Sequence, residues 1–240
     1  MLDNIKIVLV RTFHPGNIGS AARAMKTMGL TDLCLVSPVD FPSDQTLRLA
    51  RGASDVVEKA AVVDSVYEAV KDCQVVVAST ARQREFDLPE LSPEDAAKML
   101  NSYASNTTNN KVALLFGPER MGLSNEDLQF AKYRVTIPTN PDFSSLNMAA
   151  AVQTICYEVF KGSQIAQQQS TEVEQLPNTE ELERFYVHME ETLVETGFIF
   201  KKHPGEVMRR FRNVFAKAQL TTAEVSLLRG VLSSFQGKKS

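Results

Sequence analysis

The chain has 240 residues, of which 43% are apolar and 23% charged, and its formal net charge is −3. It is long enough for one full domain and a small second one. No apolar run approaches the roughly 20 residues that a membrane-spanning helix needs. The first apolar run, Ile7–Val10, is also too short for the core of a signal peptide. These features argue against a membrane protein and predict a cytoplasmic one.

Short runs rich in β-branched residues alternate with helical patterns along the first two thirds of the chain. The predicted strands are Ile5–Val10, Asp32–Val36, a short one at Val62–Val63, Gln74–Ala78, Lys111–Phe116 and Tyr133–Ile137. The predicted helices are Asn17–Met28, Asp64–Val70, Pro93–Tyr103, Asn125–Ala131 and Asn147–Phe160. This alternation predicts an α/β fold, with a mostly parallel sheet that carries helices on both faces.

The last third of the chain has a different pattern. Residues 162–178 are rich in Gln, Ser and Thr without periodicity, which indicates a linker. Beyond them, apolar residues at helical spacing predict three amphipathic helices, the third capped by Thr222. We therefore divide the chain into a first domain (1–163), a linker (164–177) and an all-α C-terminal extension (178–240).

The charge of the extension is segregated, although the acidic total argues weakly against a nucleic-acid partner. Between Lys201 and Leu220 there are six Lys or Arg residues and one Glu. Arg209, Arg210 and Arg212 belong to this group, on a helix whose other face is apolar. The pattern predicts a surface that contacts nucleic-acid phosphates, with an ordinary solvated face as the alternative.

The cysteines and histidines give no sign of a metal site. Cys34, Cys73 and Cys156 are far apart, and Cys34 and Cys156 lie among apolar residues, which is typical of buried, unreactive thiols. The three histidines have no metal-ligand spacing with one another or with the cysteines. We therefore expect chemistry without a metal ion.

Four loops that follow predicted strands have compositions suited to a ligand, and in a parallel sheet such loops meet at the carboxyl edge. In the first, 14–24, two glycines open a helix, and Arg23 follows where a cation opposes the helix dipole. The second, 79–84, combines small polar residues with Arg82 and Arg84, a pair that suits a phosphate backbone. For both loops a solvated surface is the alternative.

The other two loops are rigid by composition. In the third, Phe116–Ser124, two glycines and a proline specify a tight turn with Glu119 and Arg120 at its middle. In the fourth, Ile137–Asn147, two prolines restrict the backbone, and serines and an asparagine offer hydrogen-bonding groups near a helix start. Each loop alone is weak evidence of a site.

Together, in this order and at these spacings, the loops resemble the three motifs of the knotted 2′-O-ribose methyltransferases, the SPOUT class. The matching segments are Asn17–Ser20 with Arg23, Phe116–Leu123, and Ile137–Pro138 with Ser144–Asn147. Within the class, the chain looks most like the bacterial tRNA cytidine/uridine 2′-O-methyltransferases that modify nucleotide 32 of the anticodon loop. Ala24–Leu30 and Gly52–Asp55 also resemble that group.

The resemblance implies a trefoil knot in the C-terminal part of the first domain, a homodimer with the active site at the subunit interface, and S-adenosylmethionine as the cofactor. The cofactor contacts that it implies are Ser79, Thr80, Ala81, Gly117, Ile137, Ser144, Ser145 and Leu146. The implied catalytic residues are Arg23, Ser145 and Asn147. The implied RNA contacts are Asn17, Arg23, Arg82, Arg84 and Arg120.

The resemblance implies that Arg23 takes part in the reaction, sometimes as the base. A guanidinium, however, stays protonated, with a pKa above about 12, and is unsuited to that role. We therefore expect Arg23 to stabilise the developing alkoxide and to clamp a phosphate that accepts the proton. Two other classes stay open. The first is a dinucleotide enzyme or classical methyltransferase, and the absence of its glycine fingerprint from this sequence counts against it. The second is a non-catalytic RNA-binding protein of the same fold, which would bind no S-adenosylmethionine. Among methyltransferases, another tRNA or rRNA nucleotide is an alternative target.

Overall fold

The computed structural model describes residues 2–80, 88–106, 110–166, 176–199 and 204–237. The chain divides into two compact units, Met1–Val173 and Glu174–Ser240. None of the described helices is both long and apolar enough to cross a membrane.

The described part of the first unit contains a seven-stranded sheet in which every strand pair is parallel. The strands are β1 (Ile5–Val10), β2 (Leu33–Val36), β3 (Ala61–Val63), β4 (Cys73–Ser79), β5 (Glu90–Leu91), β6 (Lys111–Phe116) and β7 (Tyr133–Val135). Their order across the sheet is β3-β2-β1-β6-β4-β7-β5. The predicted parallel sheet is therefore confirmed.

Helices cover both faces of this sheet, as predicted. They are α1 (Pro15–Thr27), α2 (Asp44–Ala50), α3 (Ser54–Glu58), α4 (Val66–Val70), α5 (Pro93–Asn106), α6 (Asn125–Leu128) and α7 (Met148–Ala166). On one face, Val8 and Val76 are buried in one cluster with Val70 of α4 and Leu128 of α6. The alternate strand residues point to the opposite face, where α7 packs against both α1 and α5.

Three short elements, α2, α3 and β5, were not predicted. The two helices have 7 and 5 residues, too few to show a helical period. α2 is supported by close packing on α1. The two helices approach so closely that a Cβ on Gly19 would lie 2.1 Å from the Thr46 carbonyl oxygen. The Thr46 hydroxyl also donates to the Pro15 carbonyl at 2.9 Å. Gly19 therefore permits a close approach of two helices.

The predicted boundary of the first domain, residue 163, lies inside a helix, because α7 continues to Ala166. Gly162 lies within α7, where an added Cβ would be 2.8 Å from the Asn101 amide nitrogen. That amide donates to the Val159 carbonyl at 2.8 Å, so α5 holds this turn of α7. Most of the predicted linker lies outside the described residues.

The described part of the second unit contains three helices, as predicted: α8 (Thr179–Glu195), α9 (Pro204–Ala218) and α10 (Thr222–Phe235). Its buried core includes Phe185 and Met189 of α8, with Val225 of α10. The cap of α10 is Thr221, one residue before the predicted one, because its hydroxyl accepts from the Glu224 amide at 3.3 Å.

Arg212 belongs to the packing of this unit, which contradicts its predicted place in a tRNA-binding surface. Its guanidinium makes two hydrogen bonds to Glu183, one of them 2.7 Å long, and lies 4.3 Å from the centre of the Tyr186 ring. Only 18% of its side chain is exposed. Sequence patterning shows the charge of Arg212 but not this partner on another helix.

Burial affects several titratable groups in the first unit. All three cysteines are buried, as expected for Cys34 and Cys156. Burial raises the pKa of Cys34 to about 11 and that of Cys156 to about 12. Lys132, between α6 and β7, is less usual. Its ammonium is buried without a hydrogen-bond partner among the described residues, and burial lowers its pKa to about 8.

Replacing Lys132 by methionine should stabilise the protein at pH 7 by about 1–3 kcal/mol, because it removes an unpaired buried charge. The unfolded chain keeps this proton up to pH 10.5, whereas the folded chain loses it near pH 8. Wild-type stability should therefore rise between these pH values, and the Lys132→Met variant should lack this rise. Urea unfolding at pH 7 and pH 10 measures both effects.

The matched control is Lys59→Met, at an exposed lysine. It should leave both the stability at pH 7 and its rise with pH unchanged. Lower stability of Lys132→Met at both pH values would contradict the prediction.

Candidate active site

The loops after β4, β6 and β7 enclose a cleft of about 260 Å³ at the carboxyl edge of the sheet. It is lined by Ser79, Thr80, Phe116, Gly117, Pro118, Glu119, Arg120, Gly122, Val135, Ile137, Thr139, Ser144, Ser145, Leu146, Met148 and Ala151. Seven of the eight implied cofactor contacts are in this set. The eighth, Ala81, lies outside the described residues, as do Arg82 and Arg84.

Hydrogen bonds join the ends of β4 and β7 at the floor of the cleft. The Thr80 amide donates to the Val135 carbonyl at 3.1 Å. In return, the Thr136 hydroxyl donates to the Thr80 carbonyl at 3.2 Å. The second and fourth loops therefore leave the sheet as neighbours, although they lie more than 50 residues apart in the sequence.

The Gly-rich turn after β6 folds back on itself at Gly117. A Cβ on this residue would lie 2.4 Å from the Leu123 amide nitrogen, which leaves no room for a side chain. Gly122 closes the turn with a φ of 66°, and its amide donates to the Pro118 carbonyl at 2.9 Å. This turn directs Glu119 towards the loop after β1.

The Glu119 carboxylate binds that loop through three donors. The backbone amides of Phe13 and His14 donate to it at 3.1 Å and 3.2 Å, and the Asn17 side-chain amide donates at 2.7 Å. Burial alone would raise the pKa of Glu119, but the hydrogen bonds from Asn17 and the backbone outweigh it and lower this pKa below its ordinary value. Glu119 is therefore an ionised group that fixes the first loop to the turn.

Asn17 extends the connection to the fourth loop. Its amide oxygen accepts from the Asn147 side-chain nitrogen at 3.2 Å. The Asn147 amide oxygen accepts from the Ala149 backbone at 2.9 Å, at the first turn of α7. Glu119, Asn17 and Asn147 thus form one chain of hydrogen bonds, the Glu119 network, that joins three loops.

A second connection joins the first and third loops. Arg11, directly after β1, makes two hydrogen bonds to the Asp127 carboxylate, one of them 3.1 Å long. Asp127 also accepts from the Ser124 amide at 2.7 Å, within the capping box that begins α6. The ion pair therefore holds the end of the Gly-rich turn. Sequence reasoning missed Arg11, because nothing in its local pattern indicates a partner 116 residues away.

The implied RNA contacts lie in three different environments. Arg120 lines the cleft, whereas Asn17 is engaged in the Glu119 network. Arg23 is exposed on α1 and does not line the cleft of its own chain. The structure therefore brings the implied catalytic residue Asn147 to Asn17 and places Ser145 in the cleft, but it leaves Arg23 apart from them.

Comparison with known proteins defines the class. Residues 4–157 match the SpoU rRNA methylase family, and residues 180–240 match the C-terminal domain of the tRNA methyltransferase TrmJ. The chain therefore belongs to the SpoU methylase family, which confirms the resemblance found in its sequence.

Its full-length relatives include TrmJ proteins. The chain is 48% identical to tRNA (cytidine/uridine-2′-O-)-methyltransferase TrmJ of Escherichia coli (strain K12), over 98% of this chain and 96% of that protein. The crystal structure of TrmJ from Z. mobilis is 39% identical, with a TM-score of 0.82 over 96% of this chain and 98% of that one. A more distant relative is the SpoU methyltransferase AviRb from Streptomyces viridochromogenes, solved in complex with the cofactor AdoMet. It is 25% identical, with a TM-score of 0.51 over 67% of this chain and 60% of that one.

Replacing Glu119 by glutamine should release the first loop, because the side chain keeps only one acceptor oxygen for three donors. We expect hydrogen exchange at the Phe13 and His14 amides to accelerate by about 10-fold or more, since bonds to charged groups contribute about 1.5–3 kcal/mol each. Because the pKa of Glu119 is lowered, the wild-type protection should be complete above pH 4.5 and be lost as the pH falls below it.

Glu126→Gln, at an exposed carboxylate on α6, is the control and should leave both amides protected. Equal exchange in wild type and Glu119→Gln at neutral pH would show that the carboxylate does not hold the loop.

Proposed function

We propose that this protein transfers a methyl group from S-adenosylmethionine to the ribose 2′-hydroxyl of a cytidine or uridine in tRNA, leaving S-adenosylhomocysteine. The observation that carries the proposal is the 48% identity to the E. coli tRNA (cytidine/uridine-2′-O-)-methyltransferase over nearly the whole of both chains. The family resemblance further supports nucleotide 32 of the anticodon loop as the target. The reaction would take place in the cytoplasm.

The chemistry of the cleft lining supports S-adenosylmethionine as the cofactor. Ile137 and Leu146 offer apolar surface to an adenine ring, while Ser79, Thr80 and the serine pair Ser144–Ser145 offer hydrogen-bonding groups to the ribose and methionine parts. Gly117, which also lines the cleft, has no side chain, and this lets the Gly-rich turn fold back on itself there. S-adenosylmethionine, when bound, supplies an activated methyl group for in-line displacement.

The chain would orient the ribose and stabilise its charge. Asn147 and Ser145 order the ribose and the cofactor, and the Glu119 network holds Asn147 at the start of α7. Arg23 stays protonated, so it stabilises the forming alkoxide and clamps the RNA phosphate that accepts the hydroxyl proton, rather than acting as a base itself. Arg82, Arg84 and Arg120 bind further RNA phosphates. Asn17 holds the Gly-rich turn that bears Arg120, because its amide already bonds Glu119 and Asn147.

The active form in this proposal is a homodimer in which Arg23 of one subunit reaches the cleft of its partner. The position of Arg23 supports this arrangement, because the residue is exposed and lies outside the cleft lining of its own chain. We also propose a trefoil knot in the C-terminal part of the first domain, which the resemblance to the SPOUT class supports.

Nucleoside mass spectrometry of tRNA from a strain that lacks this protein tests the proposal. The expected result is the loss of one 2′-O-methylated pyrimidine, restored by the wild-type gene. An unchanged set of ribose methyl groups would contradict it.

Arg23→Ala should abolish methyl transfer and leave the affinity for S-adenosylmethionine within a few-fold, because Arg23 lies outside the cleft of its own chain. Single-turnover methylation and calorimetry measure the two effects. Lys26→Ala, which removes another exposed cation from α1, should stay active. Wild-type turnover by Arg23→Ala would contradict its role.

The same variant tests whether the site is shared between subunits. Mixing Arg23→Ala with Gly117→Ala, whose added Cβ would collide with the Gly-rich turn, should restore activity in hybrid dimers. Verified hybrids without any activity would contradict a shared site.

The C-terminal extension would add phosphate contacts through Arg209 and Arg210, both exposed on α9. Replacing both by alanine should weaken tRNA binding and flatten its salt dependence by about one log unit per lost contact, without changing cofactor affinity. The control is the Arg184→Ala, Arg229→Ala pair, which removes the same charge from α8 and α10. If both pairs behave alike, the surface of α9 has no special role in binding.

A further inference from the structure

Phe13 is an exposed aromatic residue between β1 and α1. Its side chain is 53% exposed, although its backbone amide is held by Glu119 at 3.1 Å. Arg120, the residue after Glu119 in the Gly-rich turn, is close to the Phe13 side chain: its guanidinium lies 5.8 Å from the centre of the ring. Arg120 lines the cleft and Phe13 does not, so the ring stands at the rim of the cleft rather than inside it.

The surroundings of Phe13 distinguish it from an isolated apolar residue on a surface, which needs no explanation. A guanidinium stands over its ring, and the His14 ring meets it edge-on, with centroids 5.0 Å apart and an interplanar angle of 90°. Such cation–π and edge-to-face contacts orient the ring. Because Glu119 also fixes the backbone, Phe13 presents a flat apolar face in a defined position.

We propose that Phe13, whose ring Arg120 holds in place, stacks on an unpaired nucleobase of the RNA loop whose ribose is methylated. This inference rests on the proposed function. Proteins that recognise unpaired RNA stack bases on aromatic rings and on arginine planes. A base held at the rim would direct the adjoining ribose into the cleft, where its hydroxyl must meet the methyl group.

The alternative occupant, the adenine of the cofactor, does not suit this position. The apolar surface inside the cleft comes from residues such as Ile137 and Leu146, and Phe13 is not among the lining residues. Phe13 is therefore a residue that positions the RNA, and its loss should affect tRNA binding while cofactor binding stays the same.

The test compares Phe13→Leu, which keeps an apolar side chain without a ring, with Phe13→Trp, which keeps a stacking surface. For Phe13→Leu we expect the KM for tRNA to rise about 5- to 100-fold, the range measured for base–aromatic stacking, and kcat to fall less. Phe13→Trp should retain the wild-type KM. Affinity for S-adenosylmethionine and the thermal unfolding midpoint should be unchanged in both variants.

Fluorescence of 2-aminopurine, placed beside the methylated nucleotide of the tRNA loop, reports stacking directly. Wild type and Phe13→Trp should quench it, and Phe13→Leu should not. A wild-type chain that methylates no tRNA would overturn the proposed function. If wild type methylates tRNA and Phe13→Leu shows the same KM for tRNA and the same quenching as wild type, only the stacking role is overturned. Weaker cofactor binding in Phe13→Leu, or failure of Phe13→Trp to preserve KM, would also overturn it.

Discussion

Three loops that are distant in the sequence meet through the carboxylate of Glu119. It accepts from two backbone amides of the first loop and from Asn17, 102 residues away, and Asn17 in turn bonds Asn147, at a separation of 130 residues. An ionised carboxylate can accept from all three donors through its two oxygens, and it has no N–H or O–H group that needs an acceptor of its own. Because neutral hydrogen bonds are weaker than charge-assisted ones, the same geometry with an amide at position 119 would be held less firmly. The arrangement of the cleft rim therefore depends on one charge.

This network explains how the tasks of the site are divided. Backbone and small side chains around Gly117 and Ser145 form the interior of the cleft, where a Cβ at Gly117 has no space. Arg120 and Phe13 form the rim, at positions set by the turn and by Glu119. Arg23 lies beyond both, exposed on α1. In our proposal the interior holds the cofactor, the rim holds the RNA, and Arg23 completes the site of a partner subunit.

Sequence reasoning predicted the sheet well, because strands that are buried on both faces are apolar along most of their length. β1 and β6 have the predicted bounds, Ile5–Val10 and Lys111–Phe116. Sequence reasoning missed α2, which is too short to show a helical period and is stabilised by packing on α1. The family resemblance identified eight residues that line the cleft, seven as cofactor contacts and Arg120 as an RNA contact. It did not identify the Arg11–Asp127 ion pair, which depends on tertiary structure. Arg212 was predicted to face RNA for the same reason: a charge pattern does not reveal a partner such as Glu183 on another helix.

The central claim is that this chain methylates a ribose, and nucleoside mass spectrometry of an unmodified tRNA transcript tests it most directly. The transcript is incubated with the purified full-length protein and methyl-labelled S-adenosylmethionine, without any added metal ion. We expect one labelled methyl group on the ribose of a pyrimidine in the anticodon loop. A label on a base, or no transfer by a protein that binds both the tRNA and the cofactor, would contradict it.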